Sequence, residues 1–157
     1  MIDEIDATIL DLLQENARIS QAEVARAVGL APSAVLERIR KLESRGVIRG
    51  YAALVDPHAL GQSMLAFVAV RREQAPGDDS VASALAQCPE VLELHHVAGD
   101  DCYLLKVRAR DAEHVGQLLR HRFGRIPGVR STRTTIVLET VKETPRLPVR
   151  DPMEPAR

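Results

Sequence analysis

The sequence has few cysteines, no long apolar run and almost no net charge. It contains two cysteines, Cys88 and Cys102, in 157 residues, and it has no N-terminal apolar run and no stretch long enough to span a bilayer. We therefore expect a chain of the reducing cytoplasm, with no membrane anchor and with thiols that are buried instead of paired. The formal net charge of −1 supplies no general basic field, so any contact with a polyanion must depend on locally placed charge.

The sequence also lacks a recognisable catalytic or metal-binding arrangement. No nucleophile and base stand at a readable spacing, and there is no phosphate-binding loop. His95 and His96 are neighbours on a predicted strand and so point to opposite faces, while His114 and His121 lie seven positions apart on a predicted helix. The sequence therefore predicts no catalysis, no cofactor and no metal site.

The N-terminal residues have apolar side chains at the spacing of an amphipathic helix. The apolar positions are Ile2, Ile5, Ile9, Leu12 and Leu13. Asp3 can cap a first helix that continues to about Asn16. The residues from Ser20 to Glu23 have the pattern of a capping box, which predicts that a second helix begins there.

Glycine and proline predict how the second helix ends and how a third begins. Gly29 suits the left-handed residue that ends the second helix and lets the chain reverse tightly. Pro32 suits the first position of a third helix, which continues to about Arg45 and ends before Gly46. The result is three helices, with a glycine turn between the second and the third.

The third predicted helix has an apolar face and an opposite face that is small at its start and basic at its end. A helical wheel centred on Ile39 turns Val35 and Leu42 inward. Ser33, Ala34, Glu37 and Lys41 turn outward, with Arg38 and Arg40 beside them. Small side chains can approach base edges in the DNA major groove, while longer cations reach phosphates. An ordinary solvated helix face is the alternative interpretation.

The segment after Gly46 alternates apolar and polar residues. Val47 to Tyr51 therefore predicts a short strand, so that Arg45 and Arg49 can form a basic wing beside the third helix. The predicted DNA-contacting residues are Ser20, Ser33, Ala34, Glu37, Arg38, Arg40, Lys41, Arg45 and Arg49.

The start of the third helix lacks a capping side chain. Ala31 precedes Pro32 and has no oxygen to accept from the first amides of the helix, which weakens this end by about 1 kcal/mol. A DNA phosphate can supply the missing acceptor in a complex, because helix N-termini attract anions.

A second domain is predicted after Asp56-Pro57, where the pattern changes to strand, helix, strand, strand, helix, strand. The strands are expected at 64–71, 91–97, 103–109 and 129–141, and the helices at 81–87 and from Asp111 through Leu119. This βαββαβ order is that of the ferredoxin-like fold, with both helices on one face of an antiparallel sheet. The predicted chain is thus α+β, with a winged helix-turn-helix followed by a ferredoxin-like domain.

The predicted boundaries divide the chain into four parts. Residues 1–50 form the helix-turn-helix, 51–63 a linker strand and loop, and 64–144 the ferredoxin-like domain. Residues 145–157 are rich in proline and charge, which predicts a mobile tail.

The first strand of the second domain offers apolar side chains to both faces of its sheet. Residues 64–70 are apolar throughout, although one face is expected to be covered by helices. A second copy of the chain is the economical cover for the other face, which predicts a two-fold homodimer. Such a dimer also suits a near-palindromic DNA site, since it presents two recognition helices.

Taken together, these patterns resemble the Lrp/AsnC family of feast/famine regulators over nearly every residue from Ile2 to Pro148. The residues that carry the resemblance include Ile5-Asp6, Val28-Gly29-Leu30, Pro32-Ser33-Ala34, Gly46 to Tyr51, Gly99-Asp100, Tyr103-Leu104-Leu105 and Ile126 to Val129. The resemblance implies a sequence-specific transcription regulator that binds double-stranded DNA and is modulated by a small effector, expected to be an amino acid. It also implies that dimers assemble into larger rings, commonly octamers.

The resemblance further implies an effector site between dimers, formed by the loop Gly99 to Tyr103 and the last strand. Its residues are Gly99, Asp100, Asp101, Cys102, Thr132, Thr134 and Thr135. Carboxylates there can bind an ammonium group, and hydroxyls and backbone amides can bind a carboxylate. The family usually has a second acid where this chain has Cys102, so leucine specificity is not implied. A hairpin turn that only shapes the backbone is the alternative interpretation of this loop.

Two other functions remain open on the sequence. Some proteins that resemble this family in both halves remove carboxylates from a tetrapyrrole, and His95, His96 and Arg108 are the residues that such an enzyme could recruit. The other alternative is an amino-acid-binding module without affinity for DNA. The intact helix-turn-helix pattern favours the regulator over both.

Overall fold

The structure, a computed structural model, describes residues 2–73 and 79–150 of the chain. It divides them into two compact units: residues 2–53 together with 142–150, and residues 54–73 together with 79–141. This division differs from the boundaries expected from the sequence, because the chain returns to the N-terminal unit after Val141. Residues 145–150 of the expected mobile tail lie against the first helix, and residues 151–157 are outside the described part.

The N-terminal unit contains the three predicted helices: α1 (Glu4–Glu15), α2 (Gln21–Val28) and α3 (Pro32–Ser44). Local caps set the start of α1 and both ends of α2, as the sequence predicts, whereas the start of α3 has no side-chain cap. Their apolar faces meet in a core formed by Ile9, Val24, Ala25, Val35, Ile39 and Leu42. Ile9 and Leu42 are almost fully buried, and burial of each such side chain stabilises the unit by about 1.5–3 kcal/mol.

The strand predicted over residues 47–51 is wrong. No residue from 45 to 63 belongs to a strand in the structure. The amides of Val47 and Ile48 both bond to the carbonyl oxygen of Leu42, at 2.9 and 3.2 Å, and so close the C-terminal turn of α3. Because an alternating segment becomes a strand only when another strand pairs with it, this segment stays irregular.

The C-terminal unit has the predicted βαββαβ order. Its elements are β1 (Met64–Arg72), α4 (Ser80–Ala86), β2 (Val91–His96), β3 (Tyr103–Ala109), α5 (Ala112–His121) and β4 (Val129–Ile136), with a 3₁₀ turn at Phe123–Arg125 before β4. The strands form one sheet in the order β2-β3-β1-β4, and every neighbouring pair is antiparallel. Because β3 lies between β1 and β2, this is the split arrangement of the ferredoxin-like fold.

Alternate residues of β1 face opposite sides of the sheet. Val68 and Val70 are fully buried in a core that also contains Leu85 of α4 and Leu118 of α5. The alternating residues Leu65, Phe67 and Ala69 face the other side of the sheet. They lie opposite Arg108, Lys106 and Leu104 of β3. Both helices therefore cover one face, and the other face carries an apolar row along β1.

The last strand is five residues shorter than predicted. We expected it to continue to Val141, and β4 ends at Ile136. Among the residues that the structure describes, its ladder is with β1 alone, where Ile136 lies opposite Ala66 and the amide of Val137 bonds to the carbonyl of Leu65. Since β1 begins at Met64, the residues beyond Val137 have no strand to pair with.

The two cysteines are unpaired, and the described part of the chain gathers no set of metal ligands. Cys88 is buried, Cys102 is half-buried, and neither forms a disulfide. Among residues 2–73 and 79–150, no three or more histidine, cysteine, aspartate or glutamate side chains are grouped so that they can hold a metal ion. No helix in the described part of the chain is long and apolar enough to cross a membrane.

Candidate nucleic-acid interface and ligand loop

A tight turn joins α2 to α3. Gly29 caps α2 in the left-handed region, with φ of 70°, and the amide of Leu30 bonds back to the carbonyl of Ala25 at 3.0 Å. A side chain at Gly29 would be strained in this conformation. The glycine thus lets α3 begin three residues later, which produces the helix-turn-helix.

The exposed side of α3 borders a shallow groove of about 250 Å³ on the N-terminal unit. It is lined by Asp6, Ala34, Glu37, Arg38, Lys41, Leu42 and Arg45. Five of the nine predicted DNA-contacting residues are therefore brought together along one surface. Ser33, Arg40 and Arg49 are also exposed, while Ser20 lies at the start of α2.

Arg38 is held by α1. One guanidinium nitrogen of Arg38 donates to Asp3 and to Asp6, at 2.7 Å to each carboxylate. The side chain of Asp6 is 11% exposed, so this pair crosses a largely buried contact between α1 and α3. The amide of Asp6 and the guanidinium of Arg38 both donate to Asp3 and lower the pKa of that carboxyl. In this arrangement Arg38 positions α3, whereas the sequence suggested that it reaches DNA.

Glu37 and Lys41 form an ion pair on the exposed side of α3. Lys41 Nζ lies 2.7 Å from Glu37 Oε1, one helical turn away, and each side chain is about two-thirds exposed. The hydrogen bond from Lys41 lowers the pKa of Glu37, so the carboxylate is charged at neutral pH. The groove thus combines positive charge with one fixed negative charge.

Ser20 and Glu23 form the predicted capping box. The amide of Glu23 donates to the Ser20 hydroxyl oxygen at 3.2 Å, and the amide of Ser20 donates to the Glu23 carboxylate at 3.0 Å. The Ser20 hydroxyl also donates to Glu23 at 2.6 Å. These bonds already use the hydroxyl that was a candidate for DNA contact, and they support the start of α2.

Acid should destabilise the N-terminal unit through these carboxylates. The Ser20 hydroxyl and amide lower the pKa of Glu23, and the pKa of Asp3 is lowered as described above. A carboxyl with a lowered pKa in the folded state adds stability above its unfolded pKa, roughly 4, and that stability is lost as pH falls through the folded pKa. The protection factors of amides in α1 and α2, that is, their exchange corrected for its intrinsic pH dependence, should therefore fall below about pH 4. Ser20→Ala should lessen this acid dependence in α2 only, and an unchanged profile would contradict the assignment.

The start of α3 has no side-chain cap, as predicted. Ala31 occupies the cap position in an extended conformation, and no side chain there accepts from the first amides of the helix. We expect Ala31→Ser to stabilise the free N-terminal unit by about 1 kcal/mol, measured by urea denaturation. If a DNA phosphate occupies this position in the complex, the variant should stabilise the complex less than the free protein. Equal stabilisation of both would exclude a phosphate at this helix end.

The loop between β2 and β3 is bonded to two other strands, β1 and β4. The amide of Cys102 bonds to the carbonyl of Val70 at 2.9 Å, and Arg71 Nε donates to the carbonyl of Asp100 at 3.0 Å. The side chain of Asp101 forms an ion pair with Arg133 of β4. Gly99 has φ of 125°, a conformation that other residues rarely adopt. The loop is therefore more than a simple hairpin turn, because side chains from two other strands contact it.

The structure separates the three predicted threonines of β4. Thr132 and Thr134 lie opposite Val70 and Val68, on the face that the helices cover. Thr135 lies opposite Phe67, on the other face, which is also the face of Arg133. Only Thr135 therefore shares a face with the Asp101–Arg133 pair.

Sequence reasoning missed Arg71 and Arg133, the two cations that contact this loop. Both lie in segments whose apolar or threonine-rich patterns indicated strands, and the arginines stood out only as interruptions. Their alternation with Val70 and with Thr132 and Thr134 placed them on the uncovered face, but the register that brings them to the loop depends on pairing with β1.

Family models match both units. A model of a winged helix-turn-helix DNA-binding domain matches residues 2–49, and a model of the Lrp/AsnC ligand-binding domain matches residues 64–147. The chain belongs to the Lrp/AsnC family. The resemblance inferred from the sequence is thereby confirmed, as is the combination of a winged helix-turn-helix with a C-terminal antiparallel sheet domain.

Curated Lrp/AsnC relatives align along almost the whole chain. The HTH-type transcriptional regulator FL11 of Pyrococcus horikoshii is 43% identical over 149 residues, which cover 95% of this chain and 97% of the relative. The leucine-responsive regulatory protein of Escherichia coli K12 is 42% identical over 151 residues, covering 95% and 92%. The chain is therefore a member of a family of DNA-binding transcription regulators, as predicted.

Solved Lrp/AsnC structures share the fold. A transcriptional regulator of Neisseria meningitidis, solved as a complex with L-methionine, matches with a TM-score of 0.90 at 31% identity, covering 95% of this chain and 97% of that one. The feast or famine regulatory protein of Mycobacterium tuberculosis, also complexed with L-methionine, matches with a TM-score of 0.86 at 36% identity, covering 94% and 99%.

Proposed function

We propose that this chain is a sequence-specific transcription regulator of the cytoplasm, whose affinity for double-stranded DNA is modulated by an amino acid. The observation that carries the DNA-binding half is the exposed groove along α3, which collects Ala34, Glu37, Lys41 and Arg45. Small side chains near the start of the helix and cations near its end suit a major-groove helix. Arg40 and Arg49 extend the proposed contact, and Ser33 contributes a hydroxyl near the helix start.

Two of the nine candidates take supporting roles in this proposal. Arg38 positions α3 against α1, and Ser20 caps α2, because their polar groups are already bonded within the N-terminal unit. The contacts that read and hold DNA are assigned to the other seven residues.

The face of the sheet opposite the helices supports a homodimer. It carries the apolar row Leu65, Phe67 and Ala69 of β1, flanked by Lys106 and Arg108 of β3. Leu65 and Ala69 are already largely shielded within the chain, at 6% and 8% exposure, so a second copy would add packing mainly on Phe67 and its neighbours. We propose a two-fold dimer through this face and further assembly of dimers, with an octamer expected.

The loop from Gly99 to Cys102 is the proposed effector site, together with the threonines of β4. In the free protein Asp101 and Arg133 neutralise each other. A zwitterionic amino acid offers both charges at once, so its ammonium can replace Arg133 at Asp101 and its carboxylate can replace Asp101 at Arg133. The two relatives solved with L-methionine support an amino acid as the ligand class.

Two measurements on the full chain test this function. Fluorescence anisotropy with the double-stranded DNA upstream of the protein's own gene should show salt-sensitive binding. Thermal-shift screening against the twenty amino acids should raise the melting temperature for one or a few, since a ligand that binds only the native state stabilises it. Asp101→Ala should abolish the amino-acid shift and leave DNA affinity in the absence of ligand unchanged, while Asp79→Ala, at a side chain that makes no cap bond, controls for loss of an acid elsewhere.

The other functions predict different outcomes. Amino-acid stabilisation without salt-sensitive DNA binding would support a sensor module and overturn the regulator. A visible tetrapyrrole absorbance in the purified protein would support the enzyme. We propose that the chain is not an enzyme, because its relatives are named as regulators and His95 and His96 point to opposite faces of the sheet.

A further inference from the structure

Residues 142–150, here called the strap, are bound to α1 through their backbone. The side-chain amide of Gln14 donates to the carbonyl of Leu147 at 3.0 Å and accepts from the amide of the same residue at 2.8 Å. This reciprocal pair reproduces one rung of an antiparallel β-ladder. Because both bonds are made to one residue, the pair fixes the register of the strap on the helix.

Charged side chains of the strap continue the contact along α1. Arg150 Nε lies 3.3 Å from Glu4 Oε2, and its Nη2 donates to the hydroxyl of Thr8 at 2.7 Å. Arg146 Nη2 lies 3.9 Å from Asp11 Oδ1. Glu4, Thr8 and Asp11 recur at helical spacing and so form one side of α1. Exposed ion pairs of this kind contribute little by themselves, so Gln14 is the specific anchor.

The helix α1 is contacted both by the rest of the helix-turn-helix and by the strap. Ile9 of α1 is buried in the helix-turn-helix core, and Arg38 of α3 holds Asp3 and Asp6 at the start of the same helix. The strap lies along another side, through Glu4, Asp11 and Gln14. A change in how the strap is seated therefore acts on the helix that positions α3.

The strap is also the direct continuation of β4. Val137 is the last residue bonded to the sheet, through its amide and the carbonyl of Leu65, and four residues separate it from Lys142. Leu138 and Val141 within this connector are 97% and 90% exposed, so the connector is not held by packing. The connector limits how far Val137 and Lys142 can separate, because the extended chain advances only about 3.5 Å per residue.

We infer that the strap couples the ligand state of β4 to the DNA-binding unit through α1. The inference rests on the proposed function, since Arg133 and Thr135 of β4 belong to the proposed effector site. A ligand that shifts β4 moves the anchored end of a short connector, and the connector passes that movement to α1. Two sites coupled in this way change each other's affinity by the same factor, commonly about 5- to 150-fold. The measurable quantity is the ratio of the DNA dissociation constants with and without the amino acid.

Two variants of the full chain break the coupling at different points. Gln14→Ala removes both bonds to Leu147, and Glu15→Ala is its control on the next residue of α1. Insertion of Gly-Ser-Gly-Ser between Val141 and Lys142 adds slack while the strap can stay docked, and the same insertion after Arg150 is its control. The ligand is the amino acid with the largest thermal shift in the screen above, beginning with L-methionine.

We expect both breaking variants to bring the ratio of DNA dissociation constants close to one, while both controls keep the wild-type ratio. Amide exchange in α1 should accelerate at least threefold in Gln14→Ala and stay unchanged in the internal insertion. Unchanged exchange in Gln14→Ala would show that the strap is not docked and would overturn the inference. A wild-type ratio in the internal insertion would also overturn it, because the movement would then not pass through the connector.

The failure of this inference is distinguishable from failure of the proposed function. If the wild-type protein binds DNA and an amino acid normally and the variants keep its ratio, only the strap is wrong. If the wild-type protein lacks salt-sensitive DNA binding or any amino-acid response, the proposed function fails, and the coupling inferred here fails with it.

Discussion

Replacing Arg38 with alanine should destabilise the helix-turn-helix and weaken DNA binding as a consequence of that loss. The substitution leaves Asp6, whose side chain is 11% exposed, without its guanidinium partner. A largely buried acceptor left unpaired costs about 1–3 kcal/mol, and more when it is charged. Asp3 loses a partner as well, although it keeps the amide of Asp6. Urea denaturation and amide exchange in α1 and α3 should both report the change.

The neighbouring Arg40 provides a matched control for this prediction. It lies on the same helix and is exposed, so Arg40→Ala should leave stability nearly unchanged and weaken DNA binding through the loss of one cation. A double-mutant cycle of Arg38→Ala with Asp6→Asn should show that the two effects are not additive, since each removes the same pair. The contrary outcome is an Arg38→Ala variant that is as stable as Arg40→Ala and still binds DNA more weakly. Arg38 would then contact DNA directly, as the sequence alone suggested.

Arg38 also illustrates what could be predicted from the sequence and what could not. The helical wheel placed Arg38 correctly at the margin of the α3 face, because side-chain direction within a helix depends on spacing alone. Its partners are 32 and 35 residues away on α1. No local pattern indicates such a pair, so the role of Arg38 could be assigned only after the two helices were seen packed together.

The same division holds along the whole chain. The ends of α1, α2 and α3 were predictable because Asp3, Ser20, Glu23 and Gly29 act within three or four residues of themselves. The order of strands and helices in the second unit was predictable from alternation and turn residues. The extent of each strand was not, because a strand continues only as far as its neighbour does. For this reason β4 ends where β1 begins, and residues 47–51 form no strand at all.

The candidate ligand loop was found only in part. The resemblance indicated the loop residues Gly99, Asp100, Asp101 and Cys102 together with three threonines of the last strand. Period-two alternation already places Thr135 on the opposite face from Thr132 and Thr134. That signal was present in the sequence and was not applied to the site. The arginines that contact the loop required the sheet register. The strap was hidden for a different reason, since its proline and charge content is typical of a mobile tail, whereas its docking depends on Gln14 more than 130 positions away.

Lys41→Gln should lower DNA affinity while leaving the fold intact. Both partners of its ion pair with Glu37 are about two-thirds exposed, so removing the cation should change stability by less than about 0.5 kcal/mol. Loss of one phosphate contact per subunit should lower affinity roughly tenfold per subunit at about 0.1 M salt. The slope of log K against log salt should become shallower by about one per subunit. Arg120→Gln on α5 removes a cation from the other unit and should change neither quantity.

Glu37→Gln should act in the opposite direction on the same surface. The carboxylate of Glu37 is charged at neutral pH, because the hydrogen bond from Lys41 lowers its pKa, and it repels DNA phosphates. Neutralising it should increase affinity for random-sequence DNA several-fold and leave Lys41 without the acid that now neutralises it. A carboxylate in the major groove can also accept from the amino group of cytosine, which is worth about 1–3 kcal/mol of discrimination. Competition between operator and random DNA should therefore show tighter overall binding with a smaller preference for the operator. Unchanged affinity and preference in Glu37→Gln, together with an unchanged salt slope in Lys41→Gln, would mean that this face of α3 does not meet DNA.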